Sequence, residues 1–359
     1  MTSPPFDANL LPMTQMTPDQ IEAALKAGII TQAQADEMGR DVIRDVNDAQ
    51  IGNEDNMRFV RSFSDVFIAI GIGLFAIGLT TIAKIMGGGL SFIGAAAIMA
   101  FMAEYFGKKK RQHLPTLITA LSFLIFTHWG LGGVISGGSG IIAALITLIA
   151  MLAFYMRIRL PFCIALIAIS GVFLFFALAD KFMPGLFRAH LSVFFVISGI
   201  VTMAVAIIYD MQDLHRTTRF ADNAFWLHFT AAPLIVHGIA YQAAIANTEL
   251  LFNVVPVPKV SSGDALLLLV IVGVVGVIGL ALNRRALLVS SLGYAGFAIM
   301  FLFKDSGMGF GTSFALAFLL LGAAVIFLGA GWHSARNQLI KLLPKWRIFP
   351  PAYDPNFKG

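Results

Sequence analysis

The chain has few charged residues and almost no cysteine. Only 13% of its 359 residues are Asp, Glu, Lys or Arg, against about a quarter in ordinary soluble domains. Together with the 58% apolar content, this excludes an ordinary soluble globular protein. The single cysteine, Cys163, excludes a disulfide framework within the chain and a cysteine-based metal cluster. Since Cys163 lies in an apolar run, we expect it to be a small buried packing residue.

Several motifs of enzymes and nucleotide-binding proteins are also absent. The phosphate-binding pattern G-x-x-x-x-G-K-[ST] does not occur, and no spacing of His and Asp matches a recognised metal site. We therefore expect no metal, no other cofactor and no enzymatic activity. Residues 1–61 hold ten acidic and five basic residues, which is the wrong sign for nucleic-acid binding. They also lack a basic segment followed by an apolar one, so we expect the first spanning helix to direct membrane insertion.

Long apolar runs make up most of the chain instead. Each is roughly 20 residues long, enough to cross about 30 Å of hydrocarbon. Ten candidate spans lie near residues 63–83, 88–106, 115–135, 139–156, 160–179, 190–209, 223–245, 264–282, 286–303 and 312–331. The sequence therefore predicts an all-α, polytopic membrane protein with about ten transmembrane helices over residues 62–331.

The loops between these spans alternate in positive charge. If residues 1–61 are cytoplasmic, the loops on that side and the C-terminal tail carry fifteen Lys and Arg residues. The opposite loops carry five, namely Lys84, Lys181, Arg188, Lys259 and Lys304. Cytoplasmic loops of membrane proteins are enriched in such residues. The pattern predicts that both termini are cytoplasmic.

The two ends of the chain have different compositions. Residues 1–16 show no periodicity and are predicted to be disordered. Residues 17–61 predict an acidic helical hairpin, because Thr17 with Gln20 and Thr31 with Gln34 have the spacing of a capping box. We expect this hairpin to dock on the membrane part or to bind a cytoplasmic protein partner. Residues 332–359 predict a basic amphipathic helix that lies along the inner leaflet of the lipid bilayer and is attracted to anionic lipid.

The seventh predicted span contains "DNAFWLHFTAAPLIVHGIAY", residues 222–241, and is unusually polar. His237 lies near its middle, and His128 lies at similar depth in the third span. Ionisable residues at that depth usually face the protein interior or an aqueous cavity. One hypothesis is a cavity that binds a small-molecule solute, and the other is hydrogen bonding between helices by neutral histidines. The candidate substrate-binding residues are Thr230, Pro233, His237, Tyr241 and His128. The first four share one stripe of the seventh span with Trp226.

The connection before the seventh span is the most polar in the membrane part. Its charged residues could form an ion-pair cluster or a gate, and the candidates are Asp210, Asp213, Arg216, Arg219 and Asp222. We interpret Trp226 and His228, just inside the span, as part of an aromatic belt at the cytoplasmic boundary.

A short motif raises an enzymatic alternative. The stretch "GGSGIIAAL", residues 137–145, resembles the GxSGxxxAL motif of rhomboid intramembrane serine proteases. Ser139 and His190 begin spans on the same predicted side, as the Ser–His pair of that family requires. The glycines after the rhomboid histidine, the long first external loop and the His/Asn pattern of the oxyanion site are missing here. A rhomboid-like protease is therefore the remote alternative.

A wider resemblance covers nearly the whole chain. The head "LKAGIITQAQADEM" followed by a multi-span body resembles a bacterial family of predicted inner-membrane proteins of unknown function. The stretches "DNAFWLHFTAAPLIVH" and "LGAGWHSARNQLIKLLP" are similar to segments of uncharacterised proteobacterial membrane proteins. The resemblance implies a bacterial inner-membrane location and no particular activity. Two functions stay open, a secondary transporter or solute-binding membrane protein and a non-catalytic scaffold or regulator.

Overall fold

The computed structural model describes residues 63–135, 140–213, 219–245, 248–251, 255–258 and 261–344, with residues 25, 27–29, 31 and 34 near the N-terminus. This part of the chain is almost entirely helical. It also contains two short strands that the sequence analysis did not predict. They are β1 (Thr248–Leu251) and β2 (Val255–Pro258), which pair in antiparallel fashion.

Ten long helices make up the described part of the membrane domain. They are α1 (Phe63–Ile85), α2 (Gly89–Ala103), α3 (His113–Val134), α4 (Gly140–Ile158), α5 (Cys163–Phe182), α6 (Leu191–Gln212), α7 (Arg219–Ile245), α8 (Ser262–Ala281), α9 (Arg285–Asp305) and α10 (Phe310–Leu342). A π-helical turn, Glu104–Lys109, extends α2, and a six-residue helix, Pro184–Ala189, precedes α6. All of the long helices except α7 are long and apolar enough to cross a membrane. The predicted polytopic, all-α membrane fold is confirmed.

Helix α7 is more polar than its neighbours, yet it runs the full depth of α6. Near its start, His228 lies against Asp210 in the last turn of α6. Near its end, a Cβ atom added at Gly238 would lie 2.7 Å from the carbonyl oxygen of Ser192, in the first turn of α6. The two helices are therefore antiparallel and cover the same depth, so α7 has the length and the position expected of a tenth span in the described part. The helix continues through Pro233 without interruption.

The position of α7 explains why its polar side chains are tolerated. It packs against α5, α6 and α9, and Ala224, Ala231, Ala232 and Val236 along it are fully buried. Protein rather than lipid surrounds this helix, so its polar groups can find partners on neighbouring helices. Helix α7 thus lies at the centre of the second half of the bundle.

Helix α10 continues well beyond the last predicted span. The predicted boundary lies at residue 331, but the helix runs without a break to Leu342. Trp332 and Arg336 are both buried. The first part of the predicted amphipathic tail is therefore a continuation of α10 that packs on the bundle, while residues 345–359 lie outside the described residues.

The few described residues of the predicted hairpin fit the predicted capping box. The backbone N–H of Thr31 donates to Gln34 Oε1 over 2.9 Å, and the N–H of Gln34 lies 3.4 Å from Thr31 Oγ1. Gly28 has a φ of 66°, a conformation that favours glycine at the end of a helix. The predictions for residues 1–16 and for most of residues 17–61 lie outside the described residues.

Candidate functional site

The first half of α7 carries a buried charged cluster. His228 is 0% exposed, and its Nε2 lies 2.7 Å from Oδ2 of Asp210 on α6. Arg284, which is 1% exposed, donates from Nε to both carboxylate oxygens of Asp210 over 3.0 and 3.3 Å. Its Nη2 forms a further bond to Asp210 Oδ1. One carboxylate thus joins α6, α7 and the turn between α8 and α9, and we call these three residues the Asp–His–Arg cluster.

The turn between α8 and α9 places Arg284 in this cluster. Asn283 has a φ of 55°, in the left-handed region that asparagine adopts more readily than most residues. Arg284 itself is extended and precedes α9, and its backbone N–H donates to the carbonyl of Gly279 over 2.7 Å. The chain therefore reverses tightly, and the guanidinium reaches the end of α6.

The chemistry of the cluster follows from its donors and acceptors. An ionised carboxylate can only accept hydrogen bonds, so the proton of the His228–Asp210 contact is on Nε2. The other ring nitrogen, Nδ1, lies 3.1 Å from the sulfur of Met203. Arg284 balances the charge of Asp210, which is the condition under which a buried carboxylate is tolerated.

The cluster differs from what the sequence predicted for its members. Asp210 does form an ion pair, but with Arg284, which is not one of the five predicted candidates of the polar loop. His228, interpreted there as part of an aromatic belt, is fully buried, so that interpretation is wrong. The signal that sequence reasoning missed is the position of Asp210 and His228 near the adjoining ends of two consecutive helices. When α6 and α7 pair as antiparallel neighbours, these two residues lie at the same depth and in contact.

Three of the remaining candidates of the polar loop are among the described residues. Asp213 is buried at the end of α6, where its N–H donates to the carbonyl of Asp210 over 3.2 Å. Asp222 lies in the first turn of α7, and Arg219 begins that helix with an exposed side chain. Arg216 lies outside the described residues.

The same end of the bundle is connected to α10. Trp332 Nε1 donates to Asn283 Oδ1 over 2.9 Å, and the guanidinium of Arg285 lies 5.5 Å from the centre of the Trp332 ring. Arg336 follows Trp332 by about one turn and is 1% exposed. Through Asn283, α10 contacts the turn that carries Arg284.

Helix α7 contains four of the five predicted substrate-binding residues, namely Thr230, Pro233, His237 and Tyr241. His237 Nδ1 lies 3.2 Å from the hydroxyl of Tyr294 on α9, and its ring meets that of Phe195 on α6 edge-on at 4.9 Å. The hydroxyl of Thr230 donates to the carbonyl of Trp226 over 2.9 Å, so it is used within its own helix. The side chain of Tyr241 lies outside the described residues.

His128 contacts a different set of helices. Its Nδ1 lies 3.4 Å from Thr147 Oγ1 on α4, and its ring packs on Phe173 of α5 at 4.5 Å. His237 contacts α6 and α9 instead. The structure does not bring His128 to the partners of His237, so the two histidines belong to separate polar contacts.

A cavity of about 470 Å³ lies between α5 and α6, with Leu227 of α7 at its base. None of the five predicted substrate-binding residues lines it.

Within the described residues, no group of three or more His, Cys, Asp or Glu side chains could hold a metal ion. The site therefore consists of hydrogen-bonding and ionic groups of the protein itself.

Ser139 of the protease alternative lies outside the described residues, and His190 is exposed at the end of the short helix before α6.

Comparison with protein-family models, with curated proteins and with solved structures gives no match to this chain. The fold and the contacts around α7 are therefore the basis on which a function can be proposed.

Proposed function

We propose that this integral membrane protein is a solute-binding protein of the secondary-transporter class, with its site around α7. One observation carries the proposal: an enclosed spanning helix has ionisable side chains on both sides of Pro233, each in contact with another helix. Intramembrane ionisable residues of this kind commonly mark substrate pathways and proton relays. Pro233 has no N–H group, so it cannot donate to the carbonyl of Phe229 in the preceding turn.

The two halves of α7 have different roles in this proposal. The solute is a small molecule that contacts His237, Thr230, Pro233 and Tyr241. The Asp–His–Arg cluster closes one end of the site, since it holds α6, α7 and the α8–α9 turn together. Movement of α7 against α6 requires these bonds to break and re-form, as in a gate. His228 supplies a group that can carry a proton during that movement.

The proposed location follows from charge and resemblance. The excess of Lys and Arg in alternate loops favours cytoplasmic termini, and the resemblance noted above favours a bacterial inner membrane. The basic residues after α10 favour contact with anionic lipid, and the acidic residues of 17–61 favour a cytoplasmic protein partner.

A ligand screen tests the proposal. Purified protein is heated with each member of a metabolite and ion panel, and a compound at 100 times its dissociation constant should add about 2.7 kcal/mol of stability. We expect the thermal shift to vanish in His237→Ala and to persist in His190→Ala, which changes an exposed histidine outside α7. A shift that survives His237→Ala would place the binding site elsewhere, and the absence of any shift would argue against solute binding.

A second candidate function is a non-catalytic scaffold or regulator. The contacts of His128 with Thr147 and of His237 with Tyr294 favour it, because hydrogen bonds between helices account for both histidines without a solute. In that case His237→Ala lowers stability modestly and leaves function intact. A cytoplasmic partner would then bind the full-length protein and be lost when Asp36, Glu37 and Asp41 are replaced by lysine.

A further inference from the structure

The cavity between α5 and α6 has the shape of a groove that opens to the membrane. Helices α5 and α6 both pack against α7 and touch each other little, so a gap is left between them. Ile197 and Val201 on its α6 wall are 42% and 57% exposed. On its α5 wall, a Cβ atom added at Gly171 would meet nothing within 4 Å. The groove is therefore open space between α5 and α6, on the side of these two helices that faces away from α7.

The lining of the groove is mostly apolar, and its hydroxyl residues are Ser198, Thr202 and, at one end, Tyr209. Ser198 Oγ donates to the carbonyl of Phe194, and Thr202 Oγ1 donates to the carbonyl of Ser198, each over 2.8 Å. Both polar atoms are thus directed to the backbone of α6. From Ile164 to Phe175 the groove follows twelve residues of α5, a rise of about 16 Å along the helix. Its surface and length suit a hydrocarbon chain and not a hydrophilic solute.

Two exposed arginines lie near one end of the groove along the chain. Tyr209 lines this end, and its ring lies 5.7 Å from that of Phe220 at the start of α7. Arg219, the residue before Phe220, is exposed, and so is Arg159 in the turn that precedes α5. A guanidinium group binds phosphate through charge-assisted hydrogen bonds. An apolar groove that ends beside exposed arginines is complementary to an anionic amphiphile.

We propose that this groove binds one acyl chain of an anionic phospholipid from the bilayer, with the phosphate of the lipid at Arg219. The chain lies between α5 and α6 over Leu227. It fills the gap that the protein leaves between two consecutive spans, and the headgroup lies at the end of the bundle that contains the Asp–His–Arg cluster. This site is separate from the residues proposed to bind a solute, and it does not depend on transport.

Native mass spectrometry of the delipidated protein, titrated with dioleoyl phosphatidylglycerol, tests the proposal. We expect one lipid to bind more tightly than the rest. Gly171→Leu or Val201→Trp, which fill the groove from opposite walls, should abolish that binding. Gly73→Leu is the matched control, because a Cβ atom there also meets nothing within 4 Å and the residue lies on α1. Tight binding that survives both groove variants in folded protein, or that Gly73→Leu removes equally, would overturn the acyl-chain site.

The headgroup is tested with Arg219→Ala. We expect this change to weaken phosphatidylglycerol about fivefold, with Arg188→Ala as the control on the other side. Dioleoyl phosphatidylcholine should bind the native protein more weakly and be insensitive to Arg219→Ala. Free oleate distinguishes a fatty acid from a bilayer lipid, and it should bind more weakly than phosphatidylglycerol. Equal affinity for all three lipids, or tighter binding of oleate, would refute the phospholipid assignment.

Discussion

Asp210, His228 and Arg284 come from three separate parts of the chain, and their interaction depends on burial. A carboxylate and a guanidinium removed from water are stable only while each satisfies the other. Loss of one partner leaves an uncompensated charge inside the protein. The contacts of Arg284 with both oxygens of Asp210 and of His228 with one of them make this carboxylate the most constrained charged group described at that end of the bundle.

The first prediction concerns this ion pair. Asp210→Ala and Arg284→Ala should each destabilise the protein by about 3–5 kcal/mol, because each leaves the partner buried and charged. The double variant should lose less than the sum of the two. Equilibrium unfolding in mixed micelles measures the three differences as a double-mutant cycle.

The control for this cycle is the Glu104–Arg157 pair. Arg157 donates to both oxygens of Glu104 over 3.0 and 2.6 Å, but its side chain is 64% exposed. Arg157→Ala should therefore cost only about 0–1 kcal/mol. Similar losses at the two pairs, or strict additivity at Asp210 and Arg284, would show that the cluster does not act as a unit.

At the scale of the element, the contact between α6 and α7 is the closest packing of the second half of the bundle. A Cβ atom added at Gly199 would lie 2.8 Å from the backbone nitrogen of Ile235, and one at Gly238 would lie 2.9 Å from Cβ of Phe195. Small residues let the backbones of spanning helices approach in this way. The close approach also brings the polar residues of α7 within bonding distance of α6.

The second prediction tests that approach. Gly238→Ala should lower stability by about 1–3 kcal/mol, because the new methyl group overlaps backbone atoms of α6 that cannot move independently. Gly73→Ala on α1 adds the same methyl group in open space, and the higher helix propensity of alanine should leave stability unchanged or slightly raised. Thermal unfolding of both variants in detergent makes the comparison. Equal midpoints for the two would mean that α6 and α7 are less closely packed than described.

At the scale of the whole molecule, the number of crossings determines the side on which each loop lies. Helix α7 fails a simple apolarity criterion but spans the depth of α6, and a crossing by α7 would place the loops after it on the sides that ten crossings predict. If α7 did not cross, every loop downstream would change sides. The proposed cytoplasmic location of both termini also requires that α7 crosses the membrane, because an odd number of crossings would place the termini on opposite sides.

The third prediction is a labelling pattern. Cys163 is fully buried, so Cys163→Ala gives a cysteine-free background with little change at the surface. Lys110→Cys and Ser306→Cys, both at exposed positions, then report two loops. In oriented membrane vesicles, an impermeant maleimide should reach Lys110→Cys only from the cytoplasmic side and Ser306→Cys only from the other. Labelling of both from one side would contradict the crossing by α7.

The sequence alone was sufficient for the class of fold and the approximate helix ends. The sequence predicted ten spans, and nine of the described helices have the length and apolarity that the hydrocarbon thickness requires of a lipid-facing helix. The capping box at Thr31 and Gln34 was also readable, because it depends on neighbouring residues. The end of α10 was not, since hydropathy changes near residue 331 while the helix continues through Trp332 and Arg336, which are buried by contacts with distant residues.

Composition and the length of the apolar runs thus determined that this chain is a polytopic helical membrane protein. Both are properties of single segments, because a helix that faces lipid must be apolar and long enough to cross the bilayer. The candidate site was decided only by the tertiary structure. His228 and Arg284 are ordinary boundary residues in the sequence, and they become a buried cluster because α6 and α7 pair closely and a tight turn returns Arg284 to the end of α6. The groove between α5 and α6 has no sequence signal either, because it is formed by space between helices rather than by any one of them. The physical reason is that local sequence specifies the surface of each helix, whereas the partners of that surface depend on how the helices pack.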